Sequence, residues 1–543
     1  MHFWLPLTST ALFHLSVIFG SLLLYAVSTH VNMQRRHPSA AIAWVITIVL
    51  LPYIALPLYL LLGNRKIARP PRRHRATVEP RVASDVEVDV LAHSRWAIDT
   101  IEGMGLAAPI ANDEVRFHAD GGDAWRELIR VICAAEHRLD ICIYLFGHAD
   151  AARQIGQLLE ERAAAGVRVR LLLDTFGSWQ ASRSQLRELR ASGVGVRWFM
   201  PLFDRPRPGR LNMRNHRKIV VADGRLLWCG GRNLATEYFF RHGPDTPAWL
   251  DLSFTLEGPL AVSTQQLFAE HWRNGRAPLV SRLLPRRTRR RALARARAAA
   301  VARANTKADS GAVMSTWDAT RQPTWPLRPQ QAQQEGSGQT PVQRKCSTSF
   351  RPLAPVVPRP AANPSRHLAQ LVPSGPDQHE DTVYALLLTA MFRARRRVLC
   401  VTPYFVPDEA LLKAMRLAAQ RGVRVELIVP LRSNHWLADI SRGRALYDLA
   451  TAGAEVRLMS QMSHAKVVVI DDALALAGSV NLDARSLFLS FELMIAFYSP
   501  TDIETLTNWV DRTFATAHPY QLRQRTLGAE IGEGLVRWLG FQI

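Results

Sequence analysis

The strongest constraint on the fold of this chain is a block of residues that occurs twice at the same spacing. The first copy consists of His216-Arg217-Lys218, then Asp223, Gly230-Gly231-Arg232 and Asn233. The second copy consists of His464-Ala465-Lys466, then Asp471, Gly478-Ser479-Val480 and Asn481. A lone histidine of this kind is most often structural, but two copies with matching glycine and asparagine offsets indicate a duplicated unit.

Each block predicts a buried strand that carries polar side chains at its start. Residues 218–222 and 466–470 are apolar and rich in β-branched side chains. Residues i and i+2 of a strand share a face, so histidine and lysine point into the same space. Asp223-Gly224 favours a hairpin turn, and the return strand brings Asn233 back beside His216.

The residue types in the two blocks indicate phosphodiester chemistry. Two ammonium groups and two amides can bind a phosphodiester and the charge of its transition state. Two histidines can divide the roles of nucleophile and general acid between them.

The surrounding pattern predicts an α/β fold. We expect helices at 125–135, 152–165 and 185–191, and strands at 139–146, 167–174 and 194–200. A similar series follows in the second half, with helices at 382–394 and 410–420 and a strand at 398–405. Gly166-Val167-Arg168-Val169 is echoed by Gly422-Val423-Arg424-Val425, at about the offset that separates the two histidines, which indicates an internal duplication.

These motifs resemble the phospholipase D superfamily, whose signature is HxKx4D written twice, and more closely the bacterial cardiolipin synthases. Further stretches that match are Arg214-Asn215-His216-Arg217-Lys218, Thr402-Pro403-Tyr404-Phe405-Val406-Pro407, and residues 481–487. The resemblance implies two duplicated phospholipase D-like α-β-α sandwich halves packed on a pseudo-twofold axis and preceded by two transmembrane helices. The active site is expected at the interface of the halves.

The resemblance also implies a reaction without metal or cofactor. One phosphatidylglycerol gives its phosphatidyl group to a histidine and releases glycerol, and a second phosphatidylglycerol accepts the group to form cardiolipin. Some relatives use phosphatidylethanolamine as the donor, and the sequence does not choose between them. The alternatives are a membrane-bound phospholipase D that hydrolyses lipid, a nuclease of the same superfamily, and a non-enzymatic basic membrane scaffold.

The resemblance assigns the site residues as follows. The catalytic candidates are His216, Lys218, Asp223, His464, Lys466 and Asp471, although both aspartates sit at strand ends and are expected to serve structure. His216 is taken as the nucleophile by analogy, and the reverse assignment stays open. Asn233 and Asn481 are expected to join the lysines on the phosphate oxygens. Asp251 is expected to hold His216, and Glu492 to hold His464.

The N-terminal region predicts a membrane hairpin. Residues 7–27 and 40–62 are two apolar runs, each long enough to cross about 30 Å of hydrocarbon as a helix. Arg35 and Arg36 lie between them, and a larger basic cluster at 65–75 follows. The excess of positive charge after the second run predicts a cytoplasmic catalytic domain, with the N-terminus returned to the cytoplasm. A cleaved signal peptide is the alternative, but the chain lacks the positive n-region of such a peptide.

We divide the chain into a transmembrane hairpin (1–65), a basic juxtamembrane segment (66–111), half 1 (112–275), an insert (276–366), half 2 (367–520) and a C-terminal tail (521–543). The insert is first Arg/Ala-rich and then rich in Pro and Gln, which is typical of disorder. Its basic run could lie on anionic lipid or be inert. Another Arg-rich stretch, at 205–214, could be a solvated surface or could gather phosphate, which we favour.

The charge balance indicates an anionic partner. A net charge of +22 fits either nucleic acid or a membrane surface that carries acidic lipids. The resemblance implies anionic phospholipids, phosphatidylglycerol and cardiolipin, in a bacterial inner membrane, and the two membrane runs argue against nucleic acid. Five cysteines without paired or metal-binding spacing argue against a disulfide framework.

Overall fold

The computed structural model describes residues 9–31, 38–63, 85–147, 149–200, 212–243, 246–275, 367–522, 532–534 and 536. The insert at 276–366, the basic cluster at 65–75, and residues 205–211 of the Arg-rich stretch lie outside these ranges.

Three apolar helices come first, at α1 (Ser9–Val31), α2 (Pro38–Leu50) and α3 (Pro52–Leu62). Among the described residues, α1 is the one helix long and apolar enough to cross a membrane. Its 23 residues span about 34 Å at 1.5 Å per residue. The predicted second span at 40–62 is not one helix, because the chain breaks at Leu51, directly before Pro52, which disfavours helical geometry in the residue that precedes it.

The break at Leu51 folds α3 back along α2. The rings of Trp44 on α2 and Tyr59 on α3 lie 5.2 Å apart, whereas 15 residues of continuous helix would separate them by about 22 Å. Tyr59 also packs on Tyr25, and its hydroxyl lies 3.4 Å from the hydroxyl of Thr29, near the end of α1. The C-terminal ends of α1 and α3 therefore lie on the same side of the hairpin.

Half 1 is a seven-stranded sheet with helices on it. Its helices are α5 (Gly121–Cys133), α6 (Asp150–Ala164), α7 (Arg183–Ala191) and α8 (Pro259–Asn274), with a 3-10 turn at Thr236–Tyr238. Its strands are β2 (Glu114–His118), β3 (Arg138–Ile143), β4 (Arg168–Asp174), β5 (Gly195–Phe199), β6 (Ile219–Ala222), β7 (Leu226–Gly230) and β8 (Ser253–Glu257). The strand order is β2-β8-β7-β6-β3-β4-β5.

Half 2 repeats this arrangement. Its helices are α9 (Thr382–Arg393), α10 (Glu409–Gln420), α11 (Trp436–Ser441), α12 (Gly443–Thr451), α13 (Ala484–Phe488) and α14 (Pro500–Thr516). Its strands are β9 (His367–Ser374), β10 (Arg397–Val401), β11 (Phe405–Val406), β12 (Arg424–Pro430), β13 (Glu455–Met459), β14 (Val467–Ile470), β15 (Leu474–Gly478), β16 (Leu482–Asp483), β17 (Glu492–Phe497) and β18 (His518–Pro519).

The two sheets match strand for strand. The order β9-β17-β15-β14-β10-β12-β13 in half 2 corresponds to the seven strands of half 1, and β11 pairs separately with β16. The sheet of half 2 is extended by β18 at one edge and by β1 (Ile110–Asn112) at the other. Because Ile110 pairs with Ala369, the half 2 sheet is completed by residues that precede half 1.

The halves share a core. One apolar cluster contains side chains of both sheets, such as Phe254 and Phe497, whose rings lie 5.3 Å apart, together with residues of α8 and α14. The other faces are covered by α5, α6 and α7 in half 1, and by α9, α10 and α12 in half 2. Helix α4 (Asp85–Gly103), within the segment we interpreted as juxtamembrane, packs Ala97, Ile98 and Ile101 into the half 2 core.

Candidate active site

His216 and His464 stand at equivalent places, three residues before β6 and β14. Each lysine of the motif folds back toward its own histidine: Lys218 Nζ donates to the carbonyl of His216 at 2.6 Å, and Lys466 Nζ donates to that of His464. The lysines are buried, and Lys466 Nζ also lies 2.8 Å and 3.1 Å from the two ring nitrogens of His464. Histidine and lysine therefore share one space in each half, as the strand pattern predicts.

Short backbone bridges bring each histidine against the opposite half. The backbone N–H of His216 donates to the carbonyl of Phe491 at 2.9 Å, and that of His464 donates to the carbonyl of Leu250 at 2.6 Å. The residues that follow these two acceptors are Glu492 and Asp251. Each bridge thus places a carboxylate from one half beside the histidine of the other.

The resulting pairs are crossed between the halves. Nδ1 of His216 lies 3.0 Å and 3.2 Å from the two carboxylate oxygens of Glu492. Nδ1 of His464 lies 2.7 Å from Asp251 Oδ2. Our pairing of Asp251 with His216, and of Glu492 with His464, was therefore wrong. The backbone bridges place the residues before each histidine beside a segment of the opposite half, and the sequence does not reveal which segments pair in this way.

The crossed pairs fix the tautomer of each imidazole. A carboxylate beside Nδ1 requires a proton on that nitrogen, which leaves Nε2 with a lone pair for chemistry. The Glu492 carboxylate is itself held by Ser479 at 2.5 Å and by Ser486 at 3.0 Å. The imidazole of His216 is therefore held by a fully buried carboxylate that is itself fixed by two serine hydroxyls.

Burial keeps both imidazoles neutral without a ligand. Burial, with a smaller contribution from the lysines of both halves, lowers the pKa of His216 to about 4 and that of His464 to about 3, although the facing carboxylates act to raise both. Burial alone would raise the pKa of Glu492 and Asp251, but the facing histidines and nearby lysines hold both below their ordinary range. The two halves are thus electrostatically coupled.

The lysines are also easier to deprotonate than ordinary lysines. Burial lowers the pKa of Lys218 to about 7 and that of Lys466 to about 8. An anionic phosphodiester in this space would supply the missing counter-charge and raise the pKa of the lysines and of the histidines. The site is therefore suited to an anion that arrives from outside.

The two asparagines have different hydrogen-bond environments. Asn233 Oδ1 accepts from the backbone of Leu145 at 3.2 Å, and its Nδ2 donates to the Tyr238 hydroxyl at 2.9 Å. Asn481 Nδ2 donates to Ser486 Oγ at 3.1 Å, while its buried Oδ1 has no hydrogen-bond partner in the described part of the chain. Asn233 is thus joined to Tyr238, whose ring packs on His464. Asn481 is joined to Ser486, which also donates to Glu492, the partner of His216.

Asp223 and Asp471 lie at the far ends of β6 and β14 and bind backbone. The Asp223 carboxylate accepts from the N–H groups of Glu136, His137 and Arg138 at 2.6–3.0 Å. Asp471 does the same for residues 395–397 at 2.7–2.9 Å. Both take positive φ values, of 52° and 47°. Their inclusion among the catalytic candidates is corrected, because these carboxylates anchor the starts of β3 and β10.

Several residues near the histidines were not among our candidates. The rings of Tyr144 and Tyr238 pack edge-on against His216 and His464 with centroids 4.7 Å and 5.0 Å apart. Arg217 is buried, donates to the Glu492 carbonyl at 2.8 Å and pairs with Asp377 at 3.1 Å. Ser479 and Ser486 were visible as parts of the matching motifs, but their contact with Glu492 depends on the folded chain.

Two similar α/β halves that give one histidine, one lysine and one carboxylate each to a shared interface define a phospholipase D-like protein. A family model described as cardiolipin synthase, PLD-like domain, matches residues 128–246 and 387–514, and one described as phospholipase D-nuclease N-terminal matches residues 21–64. The chain belongs to the cardiolipin synthase family of phospholipase D-like proteins.

The relatives extend over nearly the whole chain. Cardiolipin synthase A of Pseudomonas fluorescens is 28% identical over 500 residues, covering 90% of this chain and 89% of its own. Cardiolipin synthase 1 of Bacillus cereus is 24% identical, covering 91% and 86%. The crystal structure of phosphatidylserine synthase from Haemophilus influenzae, 13% identical, has a TM-score of 0.53 and covers 82% of this chain and 98% of its own, which supports the fold.

Proposed function

We propose that this protein is a cardiolipin synthase, which transfers a phosphatidyl group from one phosphatidylglycerol to another and releases glycerol. The observation that carries the proposal is the pair of crossed dyads, His216 with Glu492 and His464 with Asp251, at one interface with two buried lysines. The names of the relatives agree with it, since both bacterial proteins described above are cardiolipin synthases.

The first step forms a covalent intermediate. The Nε2 lone pair of His216 attacks the phosphorus of the first phosphatidylglycerol, and the bond from phosphorus to the headgroup glycerol oxygen breaks. His464, protonated in the complex with the anionic lipid, gives its proton to that oxygen, so glycerol leaves as a neutral alcohol. A phosphatidyl group is then bound to His216.

In the second step His464 acts as a base and His216 is the leaving group. His464, now neutral, takes the proton from a headgroup hydroxyl of a second phosphatidylglycerol. That oxygen attacks phosphorus, and the bond between phosphorus and His216 breaks. Cardiolipin is the product, both histidines return to their starting states, and neither step needs an additional reactant.

We assign the nucleophile to His216 because its imidazole is the more accessible. Its side chain is 15% exposed, against 3% for His464. Both ring nitrogens of His464 also lie close to the Lys466 ammonium, which favours a group that exchanges a proton. The two lysines, together with Asn233 and Asn481, are proposed to bind the non-bridging oxygens, where positive charge stabilises the transition state.

A phospholipase D that hydrolyses lipid is the second candidate, because it would use the same histidines with water as acceptor. The donor is also open to phosphatidylethanolamine, whose phosphodiester is equivalent at the reacting atom. The nuclease and scaffold readings are less favoured, because the chain carries apolar N-terminal helices and both motifs are complete.

We propose that the catalytic halves lie on the cytoplasmic face of the bacterial inner membrane. The basic residues at 35–36 and 65–75 flank the α2–α3 hairpin, whose ends lie on one side, and positive charge favours the cytoplasm. A hairpin of 11- and 13-residue arms reaches only part of the way across about 30 Å of hydrocarbon. The chain then crosses the membrane once, through α1, and the N-terminus lies outside the cytoplasm. This differs from our first expectation, which placed the N-terminus in the cytoplasm.

Expression in a bacterial host that lacks cardiolipin tests the function. We expect the full chain to restore cardiolipin in the lipid extract, and His216→Ala or His464→Ala to fold and restore none. Accumulation of phosphatidic acid without cardiolipin would favour the hydrolase, and turnover in either alanine variant would overturn the mechanism.

A further inference from the structure

Large apolar side chains are exposed at equivalent places in the two halves. After β4 in half 1, Phe176 is 59% exposed and Trp179 is 73% exposed. After β12 in half 2, which corresponds to β4, Trp436 is 69% exposed, with Leu437 and Ile440 exposed on the same short helix α11. Tryptophans at such exposure, repeated by a pseudo-twofold axis, indicate a surface that meets an apolar partner.

The half 1 loop is tied directly to the catalytic segment. The Asp174 carboxylate accepts from the backbone of Phe176 at 2.9 Å and of Gly177 at 3.1 Å, and its other oxygen accepts from Asn215, next to His216, at 2.9 Å. Ser178 Oγ donates to the carbonyl of Tyr144, whose ring packs on His216. The exposed aromatic residues of this loop are therefore held beside the first histidine.

The half 2 loop is tied to the second motif through Tyr404. The Tyr404 hydroxyl donates to Asn434 Oδ1 at 2.6 Å, and its ring packs on His435, directly before Trp436. The next residue, Phe405, pairs with Leu482, which adjoins Asn481. Both apolar loops therefore flank the interface at which the histidines meet.

Each loop also carries an exposed arginine. Arg183 follows Trp179 at the start of α7, and Arg432 precedes Trp436. Aromatic rings beside cationic side chains are suited to a bilayer interface that contains anionic headgroups, where rings sit at headgroup depth and each basic residue near the surface adds attraction.

We propose that these two loops form a bilayer-docking surface, which inserts Trp179 and Trp436 into a membrane of anionic lipid on both sides of the active-site entrance. The proposal rests on the proposed function, because a lipid with two acyl chains reaches the histidines without leaving the bilayer only if the entrance faces it. The apolar helix α1 is long enough to cross that membrane. A second copy of the chain is the alternative occupant, and the test distinguishes it.

Photo-crosslinking in the full chain, reconstituted in phosphatidylglycerol vesicles, tests the docking directly. Benzoylphenylalanine is placed at position 179, at 436, or at the control position 392, where Phe392 on α9 is 58% exposed. After irradiation, mass spectrometry is expected to find lipid adducts at 179 and 436 and none at 392. The photoreaction needs no turnover, so its result is independent of catalysis.

A charge substitution provides the activity readout. Trp179→Asp with Trp436→Asp is expected to lower kcat/KM for vesicle phosphatidylglycerol by about tenfold or more, because aspartate is strongly disfavoured in the interface. The matched control Phe392→Asp is expected to stay within about twofold of the wild type, since surface changes away from special features have small effects.

The outcomes are distinguishable from failure of the proposed function. Cardiolipin formation without lipid adducts at 179 and 436 would overturn the docking surface and leave the function standing. Adducts to a second copy of the chain, or equal losses in the docking and control variants, would also overturn it. Lipid adducts in a protein that makes no cardiolipin would support docking and refute the function.

Discussion

The crossed dyads predict that removing the two carboxylates will impair the reaction in different ways. Glu492→Gln keeps the size of the side chain but replaces an acceptor of three hydrogen bonds, from His216, Ser479 and Ser486, with a group that must also donate. We expect slow formation of the phosphatidyl-histidine. Asp251→Asn impairs His464 instead, which acts in both steps. The intermediate therefore forms slowly and, once formed, also persists on His216, because its transfer to the second lipid is slowed.

The magnitude follows from the lost interaction. A hydrogen bond to a charged group contributes roughly 1.5–3 kcal/mol, or about 10- to 150-fold in rate. Loss of the correct imidazole tautomer can extend the effect to about 10⁴-fold in the serine protease triad. We therefore expect Glu492→Gln to slow labelling of His216 by roughly 10² to 10⁴.

The assay is rapid acid quench with phosphatidylglycerol labelled in its phosphate, followed by peptide mapping. Glu426→Gln is the matched control, because Glu426 is as buried as Glu492 but pairs with Arg397 and Arg424 on half 2 strands. The control is expected to lose stability and to label His216 at the wild-type rate. Labelling of His216 at the wild-type rate in Glu492→Gln, or label on His464, would refute the reasoning.

Three further predictions concern pH, anchoring and topology. The kcat/KM profile should have an acid limb near pH 4, because burial lowers the pKa of His216 to about 4. It should have an alkaline limb near pH 7 to 8, where Lys218 and Lys466 lose their protons, and an alkaline limb near 10 would contradict this. The unfolded histidine binds its proton near pH 6.5 and the folded one only near pH 4, so the contribution of His216 to stability is complete above pH 6.5 and is lost as the pH falls toward 4; denaturant melts at several acid pH values can measure this. Asp223→Asn and Asp471→Asn should each lower the free energy of unfolding by about 1–3 kcal/mol, because each removes carboxylate hydrogen bonds to backbone N–H groups. The protein that remains folded should still form phosphatidyl-histidine. Unchanged stability together with lost labelling would contradict the anchoring role. A tag at the N-terminus should be digested by protease added outside spheroplasts, and a tag protected there would restore the two-span topology.

The duplicated fold was predictable because the apolar periodicity of each segment and the repeated motifs of the two halves indicate the same helices and strands. The helix expected at 152–165 is found at Asp150–Ala164, and the strand expected at 167–174 is found at Arg168–Asp174. Apolar periodicity determines such elements within a few residues, and the matching offsets identify the partner elements of the second half.

The crossing of the carboxylates could not be predicted from the sequence, because it depends on which backbone segments of the two halves pair with each other. Phe491 pairs with Asn215, and Leu250 with Ser463, across an interface between halves more than 200 residues apart. The same holds for β1, which joins the sheet of half 2 although it precedes half 1. Tertiary register of this kind leaves no periodic trace in the sequence.

The membrane region shows a different limit. Residues 40–62 are uncharged and largely apolar, so length and hydropathy alone predict one span. Pro52 signalled a boundary at Leu51, but the packing of Tyr59 on Trp44 and Tyr25, rather than hydropathy, determines that the chain folds back.

The central claim is transfer from lipid to lipid, and product analysis tests it most directly. Purified protein is incubated with vesicles that contain two phosphatidylglycerols of different acyl chains, and lipids and free glycerol are measured together. The account predicts mixed-chain cardiolipin and one glycerol released for each cardiolipin formed. Phosphatidic acid as the main product, or glycerol released without cardiolipin, would contradict it.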